Sequence, residues 1–187
     1  MIKAGSIDKG MFLLLKGEPH LVVEREFVSP GKGSAFVRLK LKNLITGQAL
    51  RETMKSQDNV EEAPVTEKGC QYLYADSDAY HFMDNESYEQ FTVPMASFED
   101  KQLFMMDGDT YKVVVWGEKP IDVKIPYKMV YTVVEANEGV KGDTVTKTTK
   151  PVKVETGLVV RVPLFIKEGE RIMVNTETRE YVERVNS

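Results

Sequence analysis

The sequence predicts an all-β protein built from three small β-barrels in tandem. Nearly every patterned segment alternates apolar and polar residues with a period of two, the period of a strand that buries one face. Turn-forming runs such as DGD (107–109) and WGEKP (116–120) separate these segments at close spacing. More than a dozen short strands in 187 residues exceed what one simple sandwich holds. Several barrels of about sixty residues each fit this pattern better.

The clearest predicted strand follows a proline- and glycine-rich turn. Apolar residues at positions 37, 39 and 41 alternate there with Arg38, Lys40 and Lys42, so the strand should bury one face and present a basic one. The basic face either contacts nucleic-acid phosphates or is an ordinary solvated face, and the pattern leaves both interpretations open. The other predicted strands are 20–28, 50–56, 71–74, 80–83, 88–92, 111–116, 121–125, 129–135, 152–155, 158–163, 171–175 and 180–185.

One segment departs from the strand pattern. Residues 93–106 place Met95, Phe98, Leu103 and Met106 at a spacing typical of a short helix. This segment is the one helix that the sequence predicts.

Two boundaries divide the chain into three segments. The charge balance changes sign near EEAPV (61–65), and a proline interrupts the strand pattern at IPYK (125–128). We therefore expect domains at 1–64, 65–127 and 128–187, each of a size that suits a single five- or six-stranded barrel.

Charge is distributed unevenly over these segments. The whole chain carries a net charge of −4, but the first segment carries +2, the second −7 and the third +1. Within residues 25–55, seven basic residues outnumber two acidic ones. The overall charge therefore hides a basic stretch that is suited to a polyanionic partner.

The composition excludes several classes of protein. With 42% apolar and 29% charged residues, the chain should fold into a globular structure. The apolar run near the N-terminus, 11–15, is too short for a signal peptide or a membrane span, so we expect a cytoplasmic protein without membrane contact. One cysteine and two histidines offer neither an internal disulfide nor a histidine-rich metal site, and no metal or cofactor is expected.

The motif SPGKG (29–33) places Lys32 between two glycines directly after a proline. In the simplest interpretation, Pro30, Gly31 and Gly33 only satisfy the geometry of a hairpin turn, and the lysine between the glycines is incidental. A phosphate-binding P-loop is excluded, because that motif needs an earlier glycine and a Ser or Thr directly after the lysine. A Schiff-base lysine has no support either, because nothing nearby in the sequence would desolvate the amine. The functional interpretation that survives is an exposed cationic probe at the tip of a long hairpin.

The other candidate sites match known site motifs less well than the lysine turn matches an exposed hairpin tip. The acidic run ADSDAYHFMDNE (75–86) places Tyr80 and His81 where a calcium loop needs a ligand and a glycine, so a solvated acidic edge is expected. The cysteine and the histidines are too scattered for a nucleophile–base pair. A set of aromatic residues either fills a barrel core or stacks on bases: Tyr72, Tyr74, Tyr80, Phe82, Tyr88 and Phe91. The residues alone thus predict a non-enzymatic RNA-binding protein with an exposed lysine.

Five segments, found in one order along essentially the whole chain, resemble a known family. Residues 26–47 contain the proline-glycine-lysine-glycine loop and the basic strand, and YLY (72–74) with HFMDNESYEQ (81–90) forms an aromatic stretch. VKGDT (140–144) and residues 150–170 resemble a C-terminal signature, matched here by Lys150, Gly157, Val162, Pro163 and Gly169. Together these segments resemble bacterial elongation factor P.

This resemblance implies a specific fold. It assigns an SH3-like (KOW-like) domain to residues 1–64, with the lysine-tipped hairpin, and OB-type barrels to 65–127 and 128–187. The three barrels of the family form an L-shaped, tRNA-like arrangement. A monomer is expected.

The resemblance also implies a function. The family binds the ribosome between the P and E sites, beside the P-site peptidyl-tRNA, and promotes peptide-bond formation at consecutive prolines. Lys32 matches the tip lysine that reaches the CCA end of that tRNA. Many members lengthen this lysine after translation, for example through a lysyl-tRNA-synthetase-like enzyme. No enzymatic activity of the chain itself is expected.

The C-terminal run TREYVERV (178–185) resembles the family's last strand, whose tyrosine and arginine lie near the small subunit and the tRNA anticodon arm. Tyr181 and Arg184 match these residues. A strict period of two would put the two side chains on opposite faces of the strand, so that one of them could be structural.

Three alternatives remain at this stage. A paralogous RNA- or ribosome-binding factor would share the fold but is expected to alter the lysine loop, which this chain keeps. Initiation factor 5A shares the lysine hairpin but lacks a third barrel. An enzyme that uses Lys32 as a nucleophile is the alternative from a different class, and it predicts covalent trapping of an aldehyde by borohydride.

Overall fold

The computed structural model describes residues 1–95, 100–137 and 148–186, and most of them lie in β-strands. The strands form three antiparallel sheets of six, five and five strands. The chain divides into two compact units, Met1–Glu99 with Thr110–Lys124, and Asp100–Asp109 with Ile125–Ser187. The all-β class that the sequence predicts is confirmed.

The first sheet has the strand order β1-β6-β2-β3-β4-β5. Its core contains the inward-facing Val37, Leu39 and Leu41 of one strand, packed against apolar residues such as Leu13 and Val22. The strands are β1 (Ile2–Lys3), β2 (Phe12–Leu15), β3 (Glu18–Val28), β4 (Phe36–Asn43), β5 (Ala49–Lys55) and β6 (Asn59–Glu62).

The second sheet has the order β11-β10-β7-β8-β9, and its edge strands β9 and β11 approach each other, so that the sheet curls towards a barrel. Tyr80 and Phe82 are fully buried on its inner face. The strands are β7 (Val65–Ala75), β8 (Ala79–Asp84), β9 (Gln90–Pro94), β10 (Thr110–Trp116) and β11 (Lys119–Lys124).

The third sheet has the order β14-β13-β12-β15-β16, and its edges β14 and β16 also approach each other. Its core is rich in valine and isoleucine, in keeping with the preference of β-branched residues for strands. The strands are β12 (Lys128–Ala136), β13 (Thr149–Val154), β14 (Val159–Pro163), β15 (Arg171–Asn175) and β16 (Glu180–Val185).

Residues 100–109 connect two strands of the second sheet but belong to the compact unit of the third sheet. Phe104 is buried in the core of that unit, and the Tyr131 hydroxyl donates a hydrogen bond of 2.7 Å to its carbonyl oxygen. The Thr156 hydroxyl donates to the carbonyl oxygen of Leu103 at 2.5 Å. The chain therefore passes between the two units three times, a feature that the sequence pattern did not suggest.

The predicted helix at 93–106 is wrong for the described residues. Val93 lies in β9, and residues Lys101–Leu103 form a 3-10 turn rather than an α-helix; residues 96–99 lie outside the described part of the chain. The buried residues of this segment do not follow a helical spacing, because the adjacent Phe104 and Met105 are both buried. Tertiary packing thus outweighs a local helical pattern.

Three observed strands were not predicted: β1, β2 and β6. Each has two to four residues, which is too short to show a period of two. In the described residues, no helix has both the length and the apolar character needed to cross a membrane.

Candidate functional site

The hairpin of β3 and β4 presents the motif SPGKG at its tip. Its ladder is symmetric about Lys32, since residues equally far from this lysine in the sequence are paired, from Val28 with Phe36 back to Glu24 with Lys40. Residues 29–35 form the connection, and the backbone amide of Ser56 donates to the carbonyl oxygen of Ala35 at 2.9 Å. Lys32 itself is exposed. The structure therefore places it at the centre of the hairpin turn.

The two glycines beside Lys32 differ in their structural role. Gly33 has a φ of +103°, which residues with a side chain rarely adopt, whereas the φ of Gly31 lies outside the region that requires glycine. A Cβ atom at either position would find no heavy atom within 4 Å. The backbone of the turn thus requires glycine at position 33 but not at position 31.

Gly33→Ala should strain the tip, while Gly31→Ala should not. We expect the first substitution to lower the free energy of unfolding by about 1–2 kcal/mol and to shift the amide resonances of residues 29–35. The second should stay within about 0.5 kcal/mol of the unsubstituted chain. Chemical denaturation and amide NMR spectra measure both effects, and equal effects of the two substitutions would contradict this assignment.

Strand β4 alternates as the sequence predicts. Val37, Leu39 and Leu41 are buried, while Arg38 is exposed and Lys40 and Lys42 are half-buried on the other face. The three basic side chains therefore share the outer face of the first sheet. Arg51 of β5 lies directly opposite Lys40 and adds a fourth basic residue.

Strand β3 places two carboxylates on the same outer face. Glu26 is paired with Arg38 and Glu24 with Lys40 across the ladder, with side-chain N–O distances of 3.7 Å and 3.6 Å. The guanidinium of Arg38 also lies 5.3 Å from the ring centre of Phe36. This pairing was not predicted from the sequence, although a hairpin symmetric about Lys32 brings these residues together.

The two C-terminal candidates lie on one side of β16 rather than on opposite faces. A bulge in the pairing of β15 and β16 sets Tyr181 opposite Val174 and Arg184 opposite Ile172, and both of these partners point into the core. The expectation of opposite faces was wrong because one extra residue of the bulge changes the period.

Tyr181 and Arg184 nonetheless have different surroundings. Tyr181 is half-buried and packs against the core of the third sheet. Arg184 is exposed, with Nη1 donating to Glu170 Oε1 at 3.4 Å and the guanidinium carbon 5.4 Å from the ring centre of Phe165. Arg184 is thus the more accessible of the two.

The acidic run at 75–86 contains the hairpin connection at 76–78, strand β8 and the start of the next turn. Asp76 Oδ1 accepts hydrogen bonds of 2.8 Å from the amides of Asp78 and Ala79, and Asp76 Oδ2 lies 2.6 Å from His81 Nε2. The hydrogen bond with His81, followed by those of the two amides, lowers the pKa of Asp76 to about 2. These contacts organise a hairpin connection. Within 1–95, 100–137 and 148–186, no three His, Cys, Asp or Glu residues are arranged to hold a metal ion.

The aromatic candidates divide between the core and the surface. Tyr72, Tyr80 and Phe82 are buried, Phe91 is half-buried, and Tyr74 and Tyr88 are exposed. The exposed Tyr74 ring stacks on His81 with ring centres 4.2 Å apart.

The cysteine has the surroundings of a structural residue. Burial, with a smaller effect from Asp84, raises the pKa of the Cys70 thiol to about 11. A thiol with such a pKa is a poor nucleophile at neutral pH, because little of it is ionised.

Three family models match consecutive parts of this chain. They are the elongation factor P KOW-like domain at residues 3–60, the elongation factor P OB domain at 65–123 and the C-terminal domain of elongation factor P at 129–184. The chain also matches a solved structure, a eukaryotic translation initiation factor 5A from Methanococcus jannaschii, with a TM-score of 0.51. That match is 18% identical and covers 66% of this chain and 91% of that one. The fold is thus one found among translation factors.

Two relatives show which kind of translation factor this chain resembles. The elongation factor P of Treponema denticola is 56% identical over 187 residues, and that of Treponema pallidum (strain Nichols) is 52% identical over 186 residues. Both alignments cover 100% of each chain. This chain belongs to the elongation factor P family and is a translation elongation factor.

Proposed function

We propose that this chain binds the ribosome between the P and E sites and promotes peptide-bond formation at consecutive prolines. The observation that carries the proposal is the exposed Lys32 at the end of a long hairpin whose β4 strand has a basic outer face. In this proposal, Arg38, Lys40 and Lys42 contact phosphates of the P-site peptidyl-tRNA. Lys32 then extends towards the CCA end of that tRNA.

The chemical contribution of Lys32 is orientation. Proline reacts slowly in peptide-bond formation, so a tRNA end that is held in a reactive pose has less entropy to lose on the way to the transition state. The ammonium group can donate hydrogen bonds to phosphate and ribose oxygens at the same time. The small residues beside it suit a narrow space walled by RNA. The ribosome carries out the reaction, and this chain holds one reactant in place.

Lys32 is also the residue that we propose for post-translational lengthening. Its side chain is exposed on a hairpin tip, where a lysyl-tRNA-synthetase-like enzyme could reach the amine without unfolding the chain. A longer side chain would extend the reach of the tip. The intact mass of the protein purified from its own host tests this step, since a mass equal to that of the bare sequence would contradict it.

We propose domains at 1–64, 65–127 and 128–187, one for each sheet, with residues 100–109 of the middle segment packed in the compact unit of the third sheet. The middle segment has a net charge of −7, which should discourage indiscriminate binding to RNA. We propose that this segment is a spacer between two RNA-contacting ends.

A reconstituted translation system that lacks the factor tests the proposed function. The purified chain should accelerate synthesis of a reporter with three consecutive prolines and leave a proline-free reporter unchanged. Equal effects on the two reporters, or no effect on either, would overturn the proposal. The lysine-nucleophile alternative gains no support from the structure, because Lys32 is exposed on the hairpin tip.

Substitutions at Arg184 and at Tyr181 should differ in their effects on activity and on stability. We expect Arg184→Gln to reduce stimulation of the proline reporter without changing Tm, because its exposed guanidinium contributes little to packing. Tyr181→Ala should lower the free energy of unfolding by about 1–2 kcal/mol, because a half-buried ring leaves the edge of the core. Thermal unfolding and the reporter assay measure the two effects. Full activity of Arg184→Gln would mean that this arginine only pairs with Glu170.

A further inference from the structure

The outer face of the first sheet carries acids that oppose its own basic residues. Glu24 and Glu26 of β3 lie across the ladder from Lys40 and Arg38. Lys42, by contrast, is paired with the uncharged Leu21 and Ala49. Two of the three basic residues of β4 are thus partly neutralised, while the third has no charged residue opposite it in the ladder.

These ion pairs do little for the stability of the fold. In the pair of Arg38 and Glu26, the two side chains are 58% and 63% exposed, and the N–O distance is 3.7 Å. In the pair of Lys40 and Glu24, the distance is 3.6 Å, and the glutamate is again 63% exposed. Water and salt screen such pairs strongly, so they contribute little to the free energy of folding.

The same acids matter more for a polyanionic ligand. A phosphate group that approaches Arg38 or Lys40 must compete with a carboxylate that already lies within 4 Å of the cation. It must also approach the negative charge of that carboxylate. Both effects weaken binding, and both act at the strand that we propose to contact RNA phosphates.

We propose that Glu24 and Glu26 limit the affinity of the first domain for RNA phosphates and so speed release from the ribosome. This inference rests on the proposed function, because it assumes that the β4 face contacts RNA. A factor that acts at many ribosomes in turn needs to dissociate, and acids set beside its basic residues shorten the bound state. Arg38 and Lys40 then bind more weakly than their charges alone would allow.

The double variant Glu24→Gln/Glu26→Gln tests the inference. Glutamine keeps the approximate size and removes the charge. The matched control is Glu61→Gln/Glu62→Gln, which makes the same change in net charge at two exposed residues of β6 in the same sheet. The probe is purified ribosomes with a tRNA in the P site, and the readouts are Kd and the dissociation rate over a salt series.

We expect the Glu24/Glu26 variant to bind about three- to thirtyfold more tightly at about 0.1 M salt, mainly through slower dissociation. Its salt dependence should be steeper, because each freed cation can replace up to about one further counterion on the RNA. The gain should shrink at high salt. The control variant should change affinity less than twofold.

Several outcomes would overturn the inference. Unchanged or weaker binding of the Glu24/Glu26 variant would show that these acids do not limit affinity. An equal gain in the control variant would show a general effect of net charge. The variant Arg38→Gln/Lys40→Gln/Lys42→Gln distinguishes this failure from failure of the proposed function. If that variant binds normally, the β4 face does not contact RNA; if it binds weakly while the glutamate variant is silent, only the present inference fails.

Discussion

Lys32→Ala is expected to abolish stimulation at proline runs while leaving the fold intact. The side chain lies on an exposed tip, so its loss should change the free energy of unfolding by no more than about 0.5 kcal/mol. Synthesis of a reporter with three consecutive prolines should nevertheless fall nearly to the level without the factor, because the variant lacks the group that we propose to position the tRNA end. The reporter assay in the reconstituted system and thermal unfolding measure the two effects.

Two controls sharpen this experiment. Lys119→Ala removes an exposed lysine from the second sheet and should leave the proline reporter at the level of the unsubstituted chain. Lys32→Arg keeps the charge, but its planar guanidinium cannot accept a lysine-specific extension, so we expect it to fail as well. Full stimulation by Lys32→Ala would exclude the probe mechanism.

Joint replacement of Arg38, Lys40 and Lys42 by glutamine should weaken ribosome binding by about ten- to a hundredfold at about 0.1 M salt. Each cation that contacts a phosphate releases counterions, so the slope of log K against log salt should also become shallower by about 2 to 3. Tm should change little, because these side chains lie on the outer face and their ion pairs are exposed. Ribosome binding over a salt series measures both effects.

The matched control is the variant Lys68→Gln/Lys112→Gln/Lys119→Gln, which removes three positive charges from the acidic second sheet. All three lysines are exposed there. We expect this variant to keep the salt slope of the unsubstituted chain. An unchanged slope in the β4 variant would show that its basic face is solvated in the complex, and the proposed RNA contact would have to be abandoned.

The sequence alone determined the class of fold and the position of the tip. Period-two alternation identifies most of the strands, because only a half-buried strand places every second residue in the core. The alternation of positions 37–42 predicted correctly which side chains of β4 are buried. The glycines around Lys32 predicted a turn, and Gly33 has the positive φ that such a turn uses. These properties depend on residues close together in the chain.

The pairing of β3 with β4 could have been predicted from the sequence with one further assumption, the position of the hairpin centre. A hairpin symmetric about Lys32 pairs Glu26 with Arg38 and Glu24 with Lys40. The excess of basic residues over 25–55 overstates the basic character of the face, because this range leaves out Glu24 and does not show that Glu26 lies opposite Arg38. The register of a hairpin turns a linear charge pattern into pairs of opposite charge.

The tertiary structure alone decided three other features. Residues 100–109 pack with the third sheet although their neighbours in the chain belong to the second, because Phe104 fits a core that distant residues build. The bulge in β16 puts Tyr181 and Arg184 on one side of the strand. Very short strands such as β1 exist only through their partners, here β6. In each case the deciding contacts join residues far apart in the chain, and a local pattern does not record which of them will meet.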